Sequence, residues 1–183
     1  SNPTTASCKR ARQWPPHWCP IHRGRGSSSP VVWGDRLFVL TAIPMGASGA
    51  ASHDPRGQVR PRDVHRFTIL AIDRRTGRVV WERTAREERP REPSMRDGTW
   101  ASSSAITDGR RVFAFFESSG LYAYDMDGTL IWQKHFGDKN MFGEVGESGS
   151  TPVLYGNHLV VVWDHQGASF IVALDASTGQ ELW

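Results

Sequence analysis

Three tryptophans spaced 51 residues apart, Trp81, Trp132 and Trp183, restrict the folds open to this chain more than any other feature. Each closes the same phrase. Ala71-x-Asp73-x-x-Thr76-Gly77-x-x-x-Trp81 recurs as Ala173-x-Asp175-x-x-Thr178-Gly179-x-x-x-Trp183, and the middle copy, Ala123-x-Asp125-x-x-Gly128-x-x-x-Trp132, is one residue shorter. A second set of phrases precedes these: Pro30-Val31-Val32-Trp33-Gly34, Ala105-Ile106-Thr107-Asp108-Gly109 and Pro152-Val153-Leu154-Tyr155-Gly156. Each follows Ser or Thr and leads, at equal offset, into an apolar run: Leu37 to Leu40, Val112 to Phe115 and Leu159 to Val162. A short apolar run, a turn with Gly and a second apolar run predict a β-hairpin. A period near 50 built from strands alone predicts a propeller. The fold expected is therefore all-β, a partial β-propeller of about three four-stranded antiparallel blades.

The phrase has a physical logic. The strand that ends at Asp must reverse within a few residues, and Gly accepts the positive φ that such a turn needs. The Asp and Thr side chains hydrogen-bond turn backbone that otherwise has no partner. The Trp then emerges on the outer strand, where its ring lies between neighbouring blades and against the small Ala, a burial that contributes a few kcal/mol per blade, about 2–3 on the usual scale.

That phrase resembles the tryptophan-docking motif of quinoprotein dehydrogenases and of their non-enzymatic PQQ-like relatives. The wider phrases Ser29 to Arg36, His65-Arg66-Phe67, Gly120-Leu121-Tyr122-Ala123-Tyr124-Asp125 and Trp163-Asp164-His165 are similar to bacterial PQQ-binding-like propeller proteins. The resemblance runs from about residue 24 to residue 183 and implies blades near 24–83, 100–134 and 148–183. Residues 1–23, crowded with Trp, Pro and Cys, fit no repeat and read as an irregular arm. Residues 44–64, with Pro44, Pro55 and Pro61, read as a long surface loop inserted in the first unit, and residues 84–100 as the blade-to-blade crossover with room for a helical turn.

What the resemblance implies about function divides in two. The first expectation is a non-catalytic binding or scaffold module, periplasmic or secreted, offering its face to a protein or small ligand in an interaction or assembly role. The alternative is a fragment of a PQQ-dependent quinoprotein dehydrogenase, a family that holds PQQ beneath an adjacent-cysteine disulfide and binds Ca²⁺ through Glu, Asn and Asp. Cys8 and Cys19 are neither adjacent nor within the repeats, so the first reading carries no cofactor.

Other residue patterns are weaker. Asp164-His165 follows an apolar run, but neighbours on a strand point to opposite faces, so the pair does not enter one site together. His65 stands at a strand entrance, where a structural role is the plainer reading. Glu144 and Glu147 in the glycine-rich segment 142–149 have the chemistry for a cation or a shared proton, against the plainer reading of a solvated loop. Ser27 to Ser29 and Ser102 to Ser104 occupy equivalent repeat positions, outside any Gly-x-Ser-x-Gly context. The net charge of +3 conceals a polarity, with 20 Lys/Arg against 10 Asp/Glu in residues 1–111 and 2 against 9 in residues 112–183. No nucleic-acid motif accompanies the arginines, and no run approaches the length of a membrane span. Because propellers close with about four to eight blades, the chain is expected to be part of a larger ring with apolar faces at both ends, and its own start shows no export signal.

Overall fold

A computed structural model describes residues 24–46, 58–59, 61–95, 98–141 and 149–183. The first unit contains β1 (Val31–Trp33), β2 (Arg36–Pro44), β3 (Gln58–Val59), β4 (His65–Asp73), β5 (Val79–Glu88) and β6 (Ser94–Met95). Four of these form one antiparallel sheet in the order β1-β2-β4-β5. The second unit is β7 (Ile106–Thr107), β8 (Arg111–Phe115), β9 (Leu121–Asp125) and β10 (Leu130–Lys134), again four strands, and the third is β11 (Val153–Tyr155), β12 (His158–Trp163) and β13 (Phe170–Asp175). A fourth strand begins beyond β13: Leu182 N donates to Ala173 O at 2.8 Å and Ala173 N to Trp183 O at 2.9 Å. These are three propeller blades.

Period-2 alternation sorts the side chains of the middle blade between its neighbours. Val112 and Ala114 of β8, with Tyr122 and Tyr124 of β9, pack with Phe38, Leu40, Phe67, Ile69 and Trp81 of the first blade. Phe113 and Phe115, with Leu121 and Ala123, pack instead with Leu159, Val161, Trp163, Val172 and Leu174 of the third. A sheet covered on both faces has no polar side to show, which is why residues 112–116 and 121–124 read as unbroken apolar runs.

Two details depart from the sequence reading. β5 continues to Glu88, five residues into the stretch expected as crossover, because β4 supplies partners as far as His65, paired with Glu88. Among the described residues of the crossover beyond it there is no helix; Glu88 and Arg91 pair as ions at 3.5 Å without one. The insertion is not purely a loop, since Gln58 and Val59 pair with Met95 and Ser94 to make a short ribbon with the crossover. Pro61 lies just outside that pairing and so leaves its donors intact.

Candidate functional site

The repeated turns are built alike. Asp73 Oδ1 accepts from Arg75 N at 3.0 Å, Thr76 N at 2.8 Å and Thr76 Oγ1 at 2.9 Å. Asp175 Oδ1 accepts from Ser177 N and Thr178 N at 2.8 and 3.0 Å. In the shorter middle copy Asp125 Oδ1 takes Asp127 N and Thr129 N, at 2.9 and 2.8 Å. Hydrogen bonds from Thr76 hold the Asp73 carboxyl below its ordinary range, and the bond from Thr129 does the same for Asp125.

Trp81 and Trp132 then each dock on the turn of the following blade. Trp81 Nε1 donates to Met126 O at 2.9 Å and Trp132 Nε1 to Ala176 O at 3.0 Å. The rings lie flat against glycine: a Cβ on Gly128 would stand 2.8 Å from Trp81, and one on Gly179 would stand 2.7 Å from Trp132. Both glycines have positive φ, 82° and 72°, so the residue type answers the turn and the ring together. Across the sheet Trp81 is paired with Ala71, and Trp132 with Ala123. Arg83 adds a second clasp, its Nε donating to Gly128 O at 2.7 Å.

At the opposite end of the blades, the loops joining β5 to β7, β8 to β9 and β10 to β11 converge on a buried polar cluster. The β8–β9 connection is a 3-10 turn, Glu117–Ser119, closed by Phe116 N to Gly120 O at 2.8 Å. Glu117 has φ 50°, a left-handed conformation that costs a non-glycine residue about 1–2 kcal/mol. Its carboxylate forms an ion pair with Lys139 and accepts Ser103 Oγ at 3.2 Å. The Lys139 ammonium also sits 4.8 Å above the Trp163 ring and 5.9 Å from that of Phe115. Lys139 N donates to Ser118 Oγ at 2.9 Å, and Ser118 N to Glu92 Oε1 at 3.3 Å.

Glu92 is only 5% exposed, and its Oε2 has no hydrogen-bond partner among the described residues. Burial pushes its carboxyl above the usual range, against the hydrogen bonds from Ser118 and the field of Lys139. The Glu117 carboxylate is thus paired with the Lys139 ammonium while the buried Glu92 carboxyl bonds Ser118 beside it, an arrangement suited to pinning three loops in one geometry.

A family model described as the outer membrane protein assembly factor BamB matches residues 16–183. The chain belongs to that family. Among solved structures this BamB-family chain is similar to a europium-containing methanol dehydrogenase, with a TM-score of 0.54 and 13% identity over 87% of this chain and 24% of that one. The quinohemoprotein alcohol dehydrogenase ADHIIG from Pseudomonas putida HK5 aligns at 0.50 and 16%, over 88% of this chain and 20% of that one. BamB from Moraxella catarrhalis aligns at 0.44 and 18%, over 88% and 49%. No curated protein matches the chain. At these identities the two dehydrogenases show the β-propeller fold alone, and the chain spans about a quarter of their length or less.

Within this BamB-family framework the residues singled out from sequence are spread apart. Asp164 accepts Ser169 Oγ at 2.8 Å, while His165 Nδ1 accepts Asn140 N at 3.0 Å and its ring meets Trp163 edge-on at 6.1 Å. The two side chains serve different contacts. His65 Nδ1 lies 3.0 Å from Asp63 O, which assigns the proton to that nitrogen. Its ring stands 4.6 Å from that of Trp100, whose Nε1 donates to Glu92 O at 2.9 Å, so His65 borders the polar cluster. Burial lowers the His65 pKa, outweighing Asp63. Glu144 and Glu147 lie outside the described residues.

The sequence reading missed Glu92, Glu117 and Lys139. They stand once each in non-repeating connections, and the one available signal was compositional: Lys139 is one of three lysines beside nineteen arginines. Among the described residues no three His, Cys, Asp or Glu side chains converge.

Proposed function

We propose that the chain is a non-catalytic scaffold of the BamB family that presents propeller blades to a protein partner in outer-membrane protein assembly, on the periplasmic side. The observation that carries this reading is the destination of the polar groups. The Glu117–Lys139 pair, Ser103, Ser118 and the two indole N–H groups all bond to other parts of the chain, holding loops and blades in place. A surface kept rigid in this way suits recognition, where ordering a partner's binding site beforehand lowers the entropic cost of binding. Among the described residues no helix is long and apolar enough to cross a membrane.

The test is photocrosslinking of the full-length gene product in the envelope of a Gram-negative host. Capture of outer-membrane assembly proteins, lost when crosslinkers are moved from the loops around Glu117 to the turns around Gly128, supports the scaffold. Reconstitution with PQQ and Ca²⁺ that yields dye-linked alcohol oxidation overturns it in favour of a dehydrogenase.

A further inference from the structure

Lys139 stands where the chemistry of the site favours arginine. Nineteen of the 22 basic residues are Arg, and a planar, weakly hydrated guanidinium is the better partner for a buried carboxylate. What an amine offers and a guanidinium does not is nucleophilicity once a proton has been removed. The surroundings suit that use. The Lys139 side chain is 1% exposed and that of Glu117 8%, and the two are in direct contact as an ion pair. The buried rings of Trp163 and Phe115 stand 4.8 and 5.9 Å from the nitrogen. A dry, apolar site favours neutral partners over ions.

Glu117 is held as firmly as it is buried. Its backbone keeps φ 50° in a turn closed by Phe116 N to Gly120 O at 2.8 Å and Gly120 N to Glu117 O at 2.9 Å. Strained backbone of this kind persists only where its surroundings over-determine it. The two carboxyl oxygens have different neighbours: Oε2 faces the Lys139 nitrogen, and Oε1 lies 3.2 Å from Ser103 Oγ, a hydroxyl that also reaches Ser150 O at 2.7 Å. The carboxyl carbon, one bond beyond Oε2, is thereby fixed beside the amine. Reacting groups held in this way gain effective molarities of about 10⁵–10⁸ M.

We propose that Lys139 and Glu117 condense to an intramolecular amide, a covalent cross-link between the β8–β9 turn and the β10–β11 connection. The ion pair is its precursor. One proton passes from Nζ to Oε2, the nitrogen then bonds to Cδ, and charge gathers on Oε1 beside the Ser103 hydroxyl. A second Nζ proton departs with Oε2 as water, and the amide nitrogen keeps the third hydrogen. No oxidant or cofactor enters. The product buries no charge, and it closes the span from residue 117 to residue 139 as a covalent loop.

Intact-mass spectrometry of the full-length gene product, sampled as the folded protein ages, reads the reaction directly. The expected result is a species lighter by one water that grows to the majority. Tryptic digestion of that species should yield a branched peptide joining Val112–Lys134 to the stretch that begins at His135. Protein kept in urea is expected to retain the full sequence mass, and so is Lys139→Arg, which keeps the charge but has no amine to condense. The wild-type mass is decisive without the variant, so the test survives a variant that does not fold. Folded wild type that keeps its full mass after weeks overturns the proposal. So does water loss that proceeds equally in urea or in Lys139→Arg, or that maps to an Asp-Gly step such as Asp127-Gly128, which dehydrates by closing on its own backbone.

Discussion

The indole N–H of Trp132 reaches the carbonyl of Ala176, 44 residues further along the chain, at 3.0 Å. Trp132→Phe keeps much of the ring but leaves that carbonyl unpaired, and a loss of about 1–2 kcal/mol is expected. Trp132→Ala empties the space against Gly179 and Phe113 and is expected to cost about 3–5 kcal/mol. Urea unfolding of the two variants beside wild type checks both values. Equal losses would show that the hydrogen bond and the ring do not contribute separately.

Two glycines with positive φ separate conformational strain from steric conflict. Gly156 has φ 57° and open space around it, so Gly156→Ala meets backbone strain alone, about 1 kcal/mol. At Gly128 the added methyl also meets the Trp81 ring at 2.8 Å, and the expected cost rises to about 3 kcal/mol. Thermal unfolding with tryptophan fluorescence reads stability and ring displacement in one experiment, and only Gly128→Ala is expected to change the native emission.

The Glu117–Lys139 pair lends itself to a double-mutant cycle. Glu117→Gln leaves the ammonium buried without its counter-ion, and Lys139→Met does the same to the carboxylate; each is expected to cost about 3–5 kcal/mol. The double variant should recover most of that loss, because neither charge is then stranded. Simple additivity of the two losses would show that the groups do not act as a pair.

Stability should respond to pH with opposite signs at two places. Glu92 has a folded pKa raised by burial, so the folded chain keeps a proton that the unfolded chain releases. Its contribution therefore falls as pH rises from the ordinary value of 4.5 through the raised one, and Glu92→Gln should remove that slope. Asp73 and Asp125 have folded pKa values depressed by their turn hydrogen bonds. Their stabilisation is present above the ordinary value of 3.8 and is lost as pH falls through the folded one. Urea midpoints from pH 3 to 8, on the range set by ordinary carboxyl groups, for wild type, Glu92→Gln and Asp125→Asn check both directions.

The blades were legible because their determinants recur. Trp81, Trp132 and Trp183 carry a fixed register, and the runs at Leu37, Val112 and Leu159 all fall within β2, β8 and β12. The identity of each tryptophan's partner was hidden, because Met126 and Ala176 offer backbone carbonyls that no side-chain pattern marks. The Glu92–Glu117–Lys139 cluster was hidden for a different reason. Its members lie on three connections of unequal length, so neither helical nor strand periodicity brings them together, and burial of charge is a property of the assembled loops. The ribbon of Gln58–Val59 with Ser94–Met95 escaped notice because a two-residue pairing is too short to leave a pattern.

The offset between each tryptophan and its acceptor also has a meaning in time. Trp81 leaves the ribosome 45 residues ahead of the Met126 carbonyl that receives it, a lag of a few seconds at synthesis rates of roughly 5–20 residues per second. During that interval a large ring on a nascent outer strand waits for a partner that has not yet been made. Growth of such a chain is therefore a relay, in which each newly made blade completes the one before it and hands on the same unfinished edge.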